Sequence, residues 1–419
     1  MSPTAESRRD PARRFAVAML GARMNYAVPR ILHAAGMLDR FYTDFSAGSG
    51  WGRVLRAWPR GLRPAGVRRL LGRSPDGIPA DMITAFNGFG LSYAARLRGV
   101  RWGGAPSETY LWAGQKFCNL IIQRGLGAAA GVYAFNSAAL EVFRSARQRG
   151  VVTILEQTIA PKTIELQLLE EEASAHPGWE SFVRDSAAED YASREVAEWG
   201  AADVVICASD FVKDGIFRCG GPRDGIVVVP YGVDVTPAPA ARRHRDGPLR
   251  VLTVGALGLR KGSPYVLEAA ARLAGRAVFR MVGGGTVLPK ARRALGQCVE
   301  MVGPVPRREV AGHYAWADVF LLPSICEGSA TVVYEALAWG LPVICTPNTG
   351  SPVRDREDGF LVPIRDSDAI AARIDQLIAA PDLLERMSAN ALKRASEFTV
   401  HRYGQRLLIA IQSEKAERL

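Results

Sequence analysis

The chain of 419 residues is 48% hydrophobic and 23% charged, an ordinary globular composition, too long for one domain and with apolar material for two cores. No apolar run reaches the ~18 residues of a membrane-spanning helix, and Cys118, Cys207, Cys219, Cys298, Cys326 and Cys345 form no CxxC pair. Neither a zinc site nor a disulfide framework is therefore indicated, and the thiols read as reduced and cytosolic. A net charge of +11 leaves three classes of partner: nucleic acid, an anionic membrane surface, or phosphorylated small molecules.

In chain order, residues 1–14 (MSPTAESRRDPARR) read as a polar, disordered tail. The apolar run Phe15–Leu20 that follows is short for the ~7–15-residue core of a signal peptide, and it reads as a first buried strand. No acidic residue occurs between Asp44 and Asp76, where Arg53, Arg56, Arg60, Arg63, Arg68, Arg69 and Arg73 fall among Trp51, Val54, Leu55, Trp58, Leu62, Leu70 and Leu71. Such a mixture suits a segment lying on anionic headgroups, or equally an Arg-rich solvated face over a core. Pro59, Gly61, Pro64 and Gly66 argue against one continuous amphipathic helix.

Short apolar runs then alternate with helical patterns, the signature of βαβ units and parallel sheets. Strands are predicted at Phe15–Leu20, Arg40–Thr43, Gly131–Phe135, Val151–Leu155, Asp203–Cys207 and Ile226–Val229, with helices such as Ala138–Arg149 and Ser186–Trp199 between them. Residues 236–248 (TPAPAARRHRDGP) have no periodicity and read as a linker between an acceptor-side domain over 15–235 and a second domain over 249–395. The second series of strands is Arg250–Val254, Ala277–Val282, Val299–Val302, Val319–Leu322, Pro342–Cys345 and Gly359–Val362, with helices at Ser263–Leu273 and Asp366–Ala379. Residues 396–419, with a helix at Val400–Arg418, are expected to pack back on the first domain. The fold class is α/β, two Rossmann-like, doubly wound domains facing each other across a cleft, with ligands at the carboxyl ends of the strands.

Chemistry concentrates in the second half. After the strand ending at Leu322, a loop carries Glu327 and Gly328 and a helix opens near Ser329–Thr331, with Glu335 in its early turns. A helix opening behind small residues offers free backbone N–H groups and a positive dipole end to a phosphate. Glu327 and Glu335 would repel that phosphate and so should face hydroxyl groups; alone, such a pair would be surface charge and capping. At VGALGLRKGSP, Arg260 and Lys261 stand between a strand and a helix, where charge-assisted hydrogen bonds worth ~1.5–3 kcal/mol each can stabilise a departing diphosphate. Gly283, Gly284 and Gly285 form a loop that backbone can bring close to a ligand.

Together with GPVP at Gly303–Pro306 and ADVVICASDFVKDGIF…IVVVPYGVD at Ala202–Asp234, these segments resemble glycosyltransferase family 4, retaining enzymes of the GT-B fold. The resemblance runs in order from about Ala202 to Pro363. It implies a metal-independent transferase that takes a sugar from a nucleotide-diphosphate donor and passes it to a hydroxyl of a polysaccharide, glycolipid or small glycoside. Glu327 matches the glutamate that faces the donor sugar, and Glu335 the one that binds the ribose. Arg260 and Lys261 match the diphosphate cations; Gly328, Ser329, Ala330 and Thr331 match the backbone around sugar and phosphate; Gly283, Gly284, Pro304 and Val305 complete the donor side. Retention in such enzymes is taken to proceed by front-face attack, with the leaving phosphate accepting the proton, so no side-chain base is demanded.

The chain departs from the pattern at Ala256, where many members have Arg, and at Glu156 and Gln157, where many have His. Glu156, Gln157, Gly21, Arg23 and Asn25 are the acceptor-side candidates. No bound cofactor and no metal are implied, and no nucleic-acid motif accompanies the positive charge. The implied setting is the cytoplasm or the inner face of a membrane. A non-catalytic nucleotide-sugar-binding protein and a nucleotide-sugar epimerase of the same fold are the alternatives.

Overall fold

The computed structural model describes residues 14–48, 59, 63, 65–100, 106–181, 185–234, 247–285 and 287–416. The polar tail to residue 13, most of the 236–248 linker, and Arg53, Arg56 and Arg60 of the arginine-rich segment lie outside them, as do the side chains of Arg68 and Arg69.

The first sheet contains β1 (Phe15–Met19), β2 (Leu38–Thr43), β3 (Ile83–Ala85), β4 (Gly131–Phe135), β5 (Val152–Gln157), β6 (Val204–Cys207) and β7 (Ile226–Val228), in spatial order 3-2-1-4-5-6-7. The second contains β8 (Leu249–Val254), β9 (Ala277–Val282), β10 (Val299–Gly303), β11 (Val319–Leu322), β12 (Val343–Cys345) and β13 (Gly359–Leu361), in the order 10-9-8-11-12-13. Every strand pairing is parallel. Both orders reverse direction beside the first strand of the series, the arrangement of doubly wound nucleotide-binding sheets. The central strands read as unbroken apolar runs because helices cover both their faces: β1 (FAVAM) and β11 (VFLL) are buried at every residue.

The two halves are held together by more than the linker. The helix Lys162–Ala175 leaves the first sheet and reaches the second, where the Glu172 carboxylate accepts from the Tyr265 hydroxyl at 2.9 Å and pairs with Arg365. Beyond it the backbone N–H of Leu259 donates to Glu180 at 2.9 Å, and Leu168 and Trp179 pack against the core of the second half. The last helix, Val400–Ala416, places Tyr403, Leu407, Ala410 and Ile411 in one core cluster with Tyr26, Val28, Leu32 and Tyr231.

Ten of the twelve predicted strands agree with those observed to within one residue at each end; β2 begins two residues earlier and β5 ends two residues later than predicted. β3, three half-buried residues at the sheet edge, has no sequence expectation behind it, nor do the helices Asn87–Val100, Pro106–Arg124 and Lys162–Ala175. Arg73, the last arginine of the basic segment, does not face outward in the way a headgroup contact requires. Its guanidinium pairs with the buried Asp44 carboxylate (Nη1 to Oδ2, 2.8 Å) and lies 5.9 Å from the Phe45 ring centre. No helix among the described residues is long and apolar enough to cross a membrane.

Candidate active site

The loops at the carboxyl ends of the two sheets meet around a cavity of about 500 Å³. Arg260, Glu327, Gly328 and Ser329 border it from the second half; Arg23, Asn136, Thr158, Lys162, Glu165 and Glu195 border it from the first. Adjacency of β8 and β11 in the sheet explains why residues 66 and 67 positions apart share a site: Arg260 and Lys261 follow β8, and Glu327 follows β11.

Glu327 accepts from Arg260 Nη1 at 2.8 Å, and the same oxygen, Oε1, lies 2.7 Å from Lys261 Nζ. Arg260 Nη1 also donates to the Cys326 carbonyl at 3.3 Å, while the Ile325 N–H donates to the Arg260 carbonyl at 2.9 Å, so the two loops are stitched together. Burial lowers the Lys261 pKa from its ordinary value against the opposing pull of Glu327. For Arg260 the balance goes the other way: burial would lower the pKa, but the Glu327 and Glu165 carboxylates raise it. Gly262 follows in the left-handed region (φ 70°), and a Cβ there would lie 2.0 Å from the Pro323 carbonyl oxygen, so only glycine lets the helix Ser263–Arg272 start so close to the next loop.

The helix Thr331–Ala338 opens behind Gly328, Ser329 and Ala330. Ser329 Oγ is 2.7 Å from the Tyr334 hydroxyl and donates to the Gly350 carbonyl at 2.8 Å, and the Ala330 N–H donates to Thr349. Glu335, on the fifth residue of that helix, accepts from the Tyr314 hydroxyl at 2.9 Å and from Arg307 at 3.2 Å. Gly283 and Gly284 sit beside the turn after β10: the Gly283 N–H donates to the Gly303 carbonyl, and Pro304 is the nearest neighbour a Gly284 Cβ would meet, at 3.9 Å. Val305, half-buried, packs against the apolar cluster under the same edge. Ala256 is exposed at the end of β8.

On the first half, Gly21, Arg23 and Asn25 occupy the loop after β1, where Met24, Asn25 and Tyr26 have consecutive positive φ values of 44°, 51° and 60°. Three successive non-glycine residues in the left-handed region are costly and hold the loop in a sharp turn. The Gly21 N–H donates to Asp44, and Arg23 donates to the Thr158 hydroxyl at 2.9 Å, which in turn donates to Asn136. Gln157 turns inward: its side chain donates to Glu195 at 2.8 Å and to the Ile159 carbonyl, accepts from Trp199, and has no exposure. An acceptor role for it is corrected by that placement, since alternation along β5 points it into the helix layer. Glu156 is also buried but lines a separate cavity of about 210 Å³ with Arg23, Met24 and Tyr231, where it accepts from Tyr133 at 2.6 Å and Tyr231 at 3.0 Å. Burial raises its pKa above the usual carboxylate range.

Sequence reasoning missed Asn136, Thr158, Glu195 and Ser209. They lie in separate βα connections and one helix, and carry no local pattern. Ser209 Oγ donates to the Gly328 carbonyl at 2.5 Å, and a Cβ on Gly328 would fall 2.0 Å from the Thr158 carbonyl oxygen, so the two halves touch backbone to backbone at this point.

Residues 248–380 match the family model described as Glycosyl transferases group 1. The chain is 30% identical over 206 residues to the amylovoran biosynthesis glycosyltransferase AmsK of Erwinia amylovora, covering 44% of this chain and 50% of that protein. It is 31% identical over 207 residues to a GDP-mannose-dependent alpha-(1-6)-phosphatidylinositol monomannoside mannosyltransferase of Mycolicibacterium smegmatis, covering 43% of this chain and 54% of that one. The chain thus spans about half the length of the curated relatives it matches. The whole fold is shared more widely: a sucrose-phosphate synthase from Thermosynechococcus elongatus superposes with a TM-score of 0.67 at 18% identity over 97% of this chain and all (100%) of that one. HepE of Anabaena, solved with UDP and glucose, superposes with a TM-score of 0.58 at 14% identity over 97% of this chain and 100% of its own. Residues 248–380 are thus similar to the group 1 glycosyl transferases, within a chain whose overall fold is GT-B.

Proposed function

We propose that the protein is a retaining glycosyltransferase that moves a sugar from a nucleotide-diphosphate donor to a hydroxyl of a carbohydrate or lipid-linked acceptor. The observation that supports this most directly is the pair of cations, Arg260 and Lys261, meeting Glu327 at the switch point of the second sheet. The donor's diphosphate binds those cations and the N-terminal turn of Thr331–Ala338, its ribose hydroxyls donate to Glu335, and its sugar faces Glu327. In the transfer step the bond from the anomeric carbon to the diphosphate oxygen breaks with its electron pair leaving on oxygen. The acceptor oxygen bonds to the same face of that carbon, and its proton passes to the departing phosphate. Arg260 and Lys261 stabilise the charge that grows on the leaving group, which is where such fixed cations contribute most to rate. No metal is assigned a part in this scheme.

Three features support a donor held by the second half: the family match over 248–380, the contacts Gly283–Gly303 and Arg307–Glu335 on either side of the turn at Pro304, and the GT-B fold. The test is nucleotide release from a panel of UDP-, GDP- and ADP-sugars, with and without EDTA. Release from one donor class, unchanged by EDTA and lost in Glu327→Ala, is expected. Release that EDTA abolishes would refute metal independence, and release untouched by Glu327→Ala would refute the site.

A further inference from the structure

Three helices bring tyrosines to one wall of the 500 Å³ cavity. Tyr93 comes from Asn87–Val100, Tyr110 from Pro106–Arg124 and Tyr191 from Ala188–Ala201, all carried by the first half, while Arg260 and Glu327 border the same space from the second. The Tyr110 and Tyr191 rings meet edge to face, with centroids 6.3 Å apart at 68°. Phe89 stacks on Tyr93 at 6.1 Å and packs against Trp112 at 5.6 Å, so the Tyr93 ring is held from behind by other aromatics. Rings fixed in this way offer apolar faces at little entropic cost.

Charge on the same wall is balanced. Its charged side chains are Arg23, Lys162, Glu165 and Glu195. Lys162 is taken up by Glu165 at 3.1 Å and Asp185 at 3.7 Å, and Arg23 donates to Thr158. A phosphate placed here would face the Glu165 carboxylate and meet cations already engaged, Lys162 by its two carboxylates and Arg23 by Thr158. A sugar ring, in contrast, has a C–H face that packs on a tyrosine and hydroxyls that donate to carboxylates.

We infer that the tyrosine wall is the acceptor subsite and that it takes a neutral pyranose, the terminal sugar of a glycan or glycoside, in preference to a phosphorylated polyol. This rests on the transferase assignment made above. Tyr93 and Tyr110 stack on the ring, and Glu165 receives its hydroxyls where the wall meets Arg260.

Saturation-transfer NMR on the full chain with UDP, and separately with GDP, tests it. The probes are the methyl α-pyranosides of glucose, mannose and galactose, with myo-inositol 1-phosphate for comparison. Ring-proton transfer to at least one pyranoside is expected, lost in Tyr93→Ala and Tyr110→Ala, retained in Tyr110→Phe, and absent for the inositol phosphate. The inference is overturned by no transfer to any pyranoside, by stronger transfer to the inositol phosphate, or by signals that both alanine variants leave unchanged. Calorimetric nucleotide binding by the same samples separates the two claims. Pyranoside contact without nucleotide binding would remove the transferase assignment and leave the subsite, whereas nucleotide binding without pyranoside contact would remove the subsite alone.

Discussion

Glu327 and Lys261 meet at 2.7 Å, carboxylate Oε1 to ammonium Nζ, and the same oxygen accepts from Arg260 at 2.8 Å. These are the cations that the proposed function gives to the diphosphate, so carboxylate and diphosphate compete for them. Glu327→Gln removes the competing charge and leaves the shape. It should tighten nucleoside-diphosphate binding by about threefold to tenfold, since ~1.4 kcal/mol is one tenfold step, while lowering turnover by at least about 100-fold. Calorimetry and steady-state kinetics on the one variant check both; weaker binding together with lost turnover would contradict the competition.

Glu335 is held by the Tyr314 hydroxyl at 2.9 Å and by Arg307 at 3.2 Å, the latter from an exposed side chain. Glu335→Ala should weaken nucleotide binding by at least about tenfold, as loss of a charge-assisted bond costs ~1.5–3 kcal/mol. Tyr314→Phe removes the hydroxyl that orients Glu335 and also bonds the Val332 carbonyl at 3.3 Å, and should raise the donor KM by about threefold with kcat unchanged, less than loss of the carboxylate itself. Equal effects of both changes on kcat would show that Glu335 acts in the chemical step instead.

Gly328 lies where the halves touch, with the Thr158 carbonyl 2.0 Å from the position of a Cβ. Gly328→Ala forces the backbones apart, and overpacking of this kind costs about 1–3 kcal/mol. A lower melting temperature and a loss of turnover larger than the loss of nucleotide affinity are expected, because the displaced contact separates acceptor wall from donor cations. Full activity at an unchanged melting temperature would mean that the halves do not need this approach.

Burial pushes the carboxyl pKa values of Glu195 and Glu198 up to about 7. In the unfolded chain the ordinary value is ~4.3, so between about pH 4.5 and 7 the folded protein binds more protons than the unfolded one. The stability these groups contribute is therefore complete below that window and declines as pH rises through it, levelling off above. Glu195→Gln should flatten the fall in melting temperature between about pH 5 and 8, whatever its effect on the absolute value. An unchanged slope would show that Glu195 titrates in the usual range.

The strands were legible because parallel strands covered on both faces read as apolar runs, and the meeting of Arg260, Lys261 and Glu327 because they fall within short ordered segments after β8 and β11. Arg260 and Glu327 are far apart in sequence, but each sits at a strand end, and the strand order brings those ends together. The first-half wall was not legible for the opposite reason. Tyr93, Tyr110 and Tyr191 come from separate helices, and Asn136, Thr158 and Ser209 from separate connections, with no spacing that links them. Gln157 misled because its position in the chain beside Glu156 says nothing of which face of β5 it takes; the pleat sends it toward Glu195 and Trp199.

The most direct measurement is calorimetric titration of UDP, GDP and ADP into the purified chain and into Glu335→Ala. One nucleotide should bind the unmodified chain with a dissociation constant of about micromolar order, near −8 kcal/mol, and the variant should lose most of that affinity. Binding of none of the three, or binding that Glu335→Ala leaves intact, would contradict a donor site in the second half.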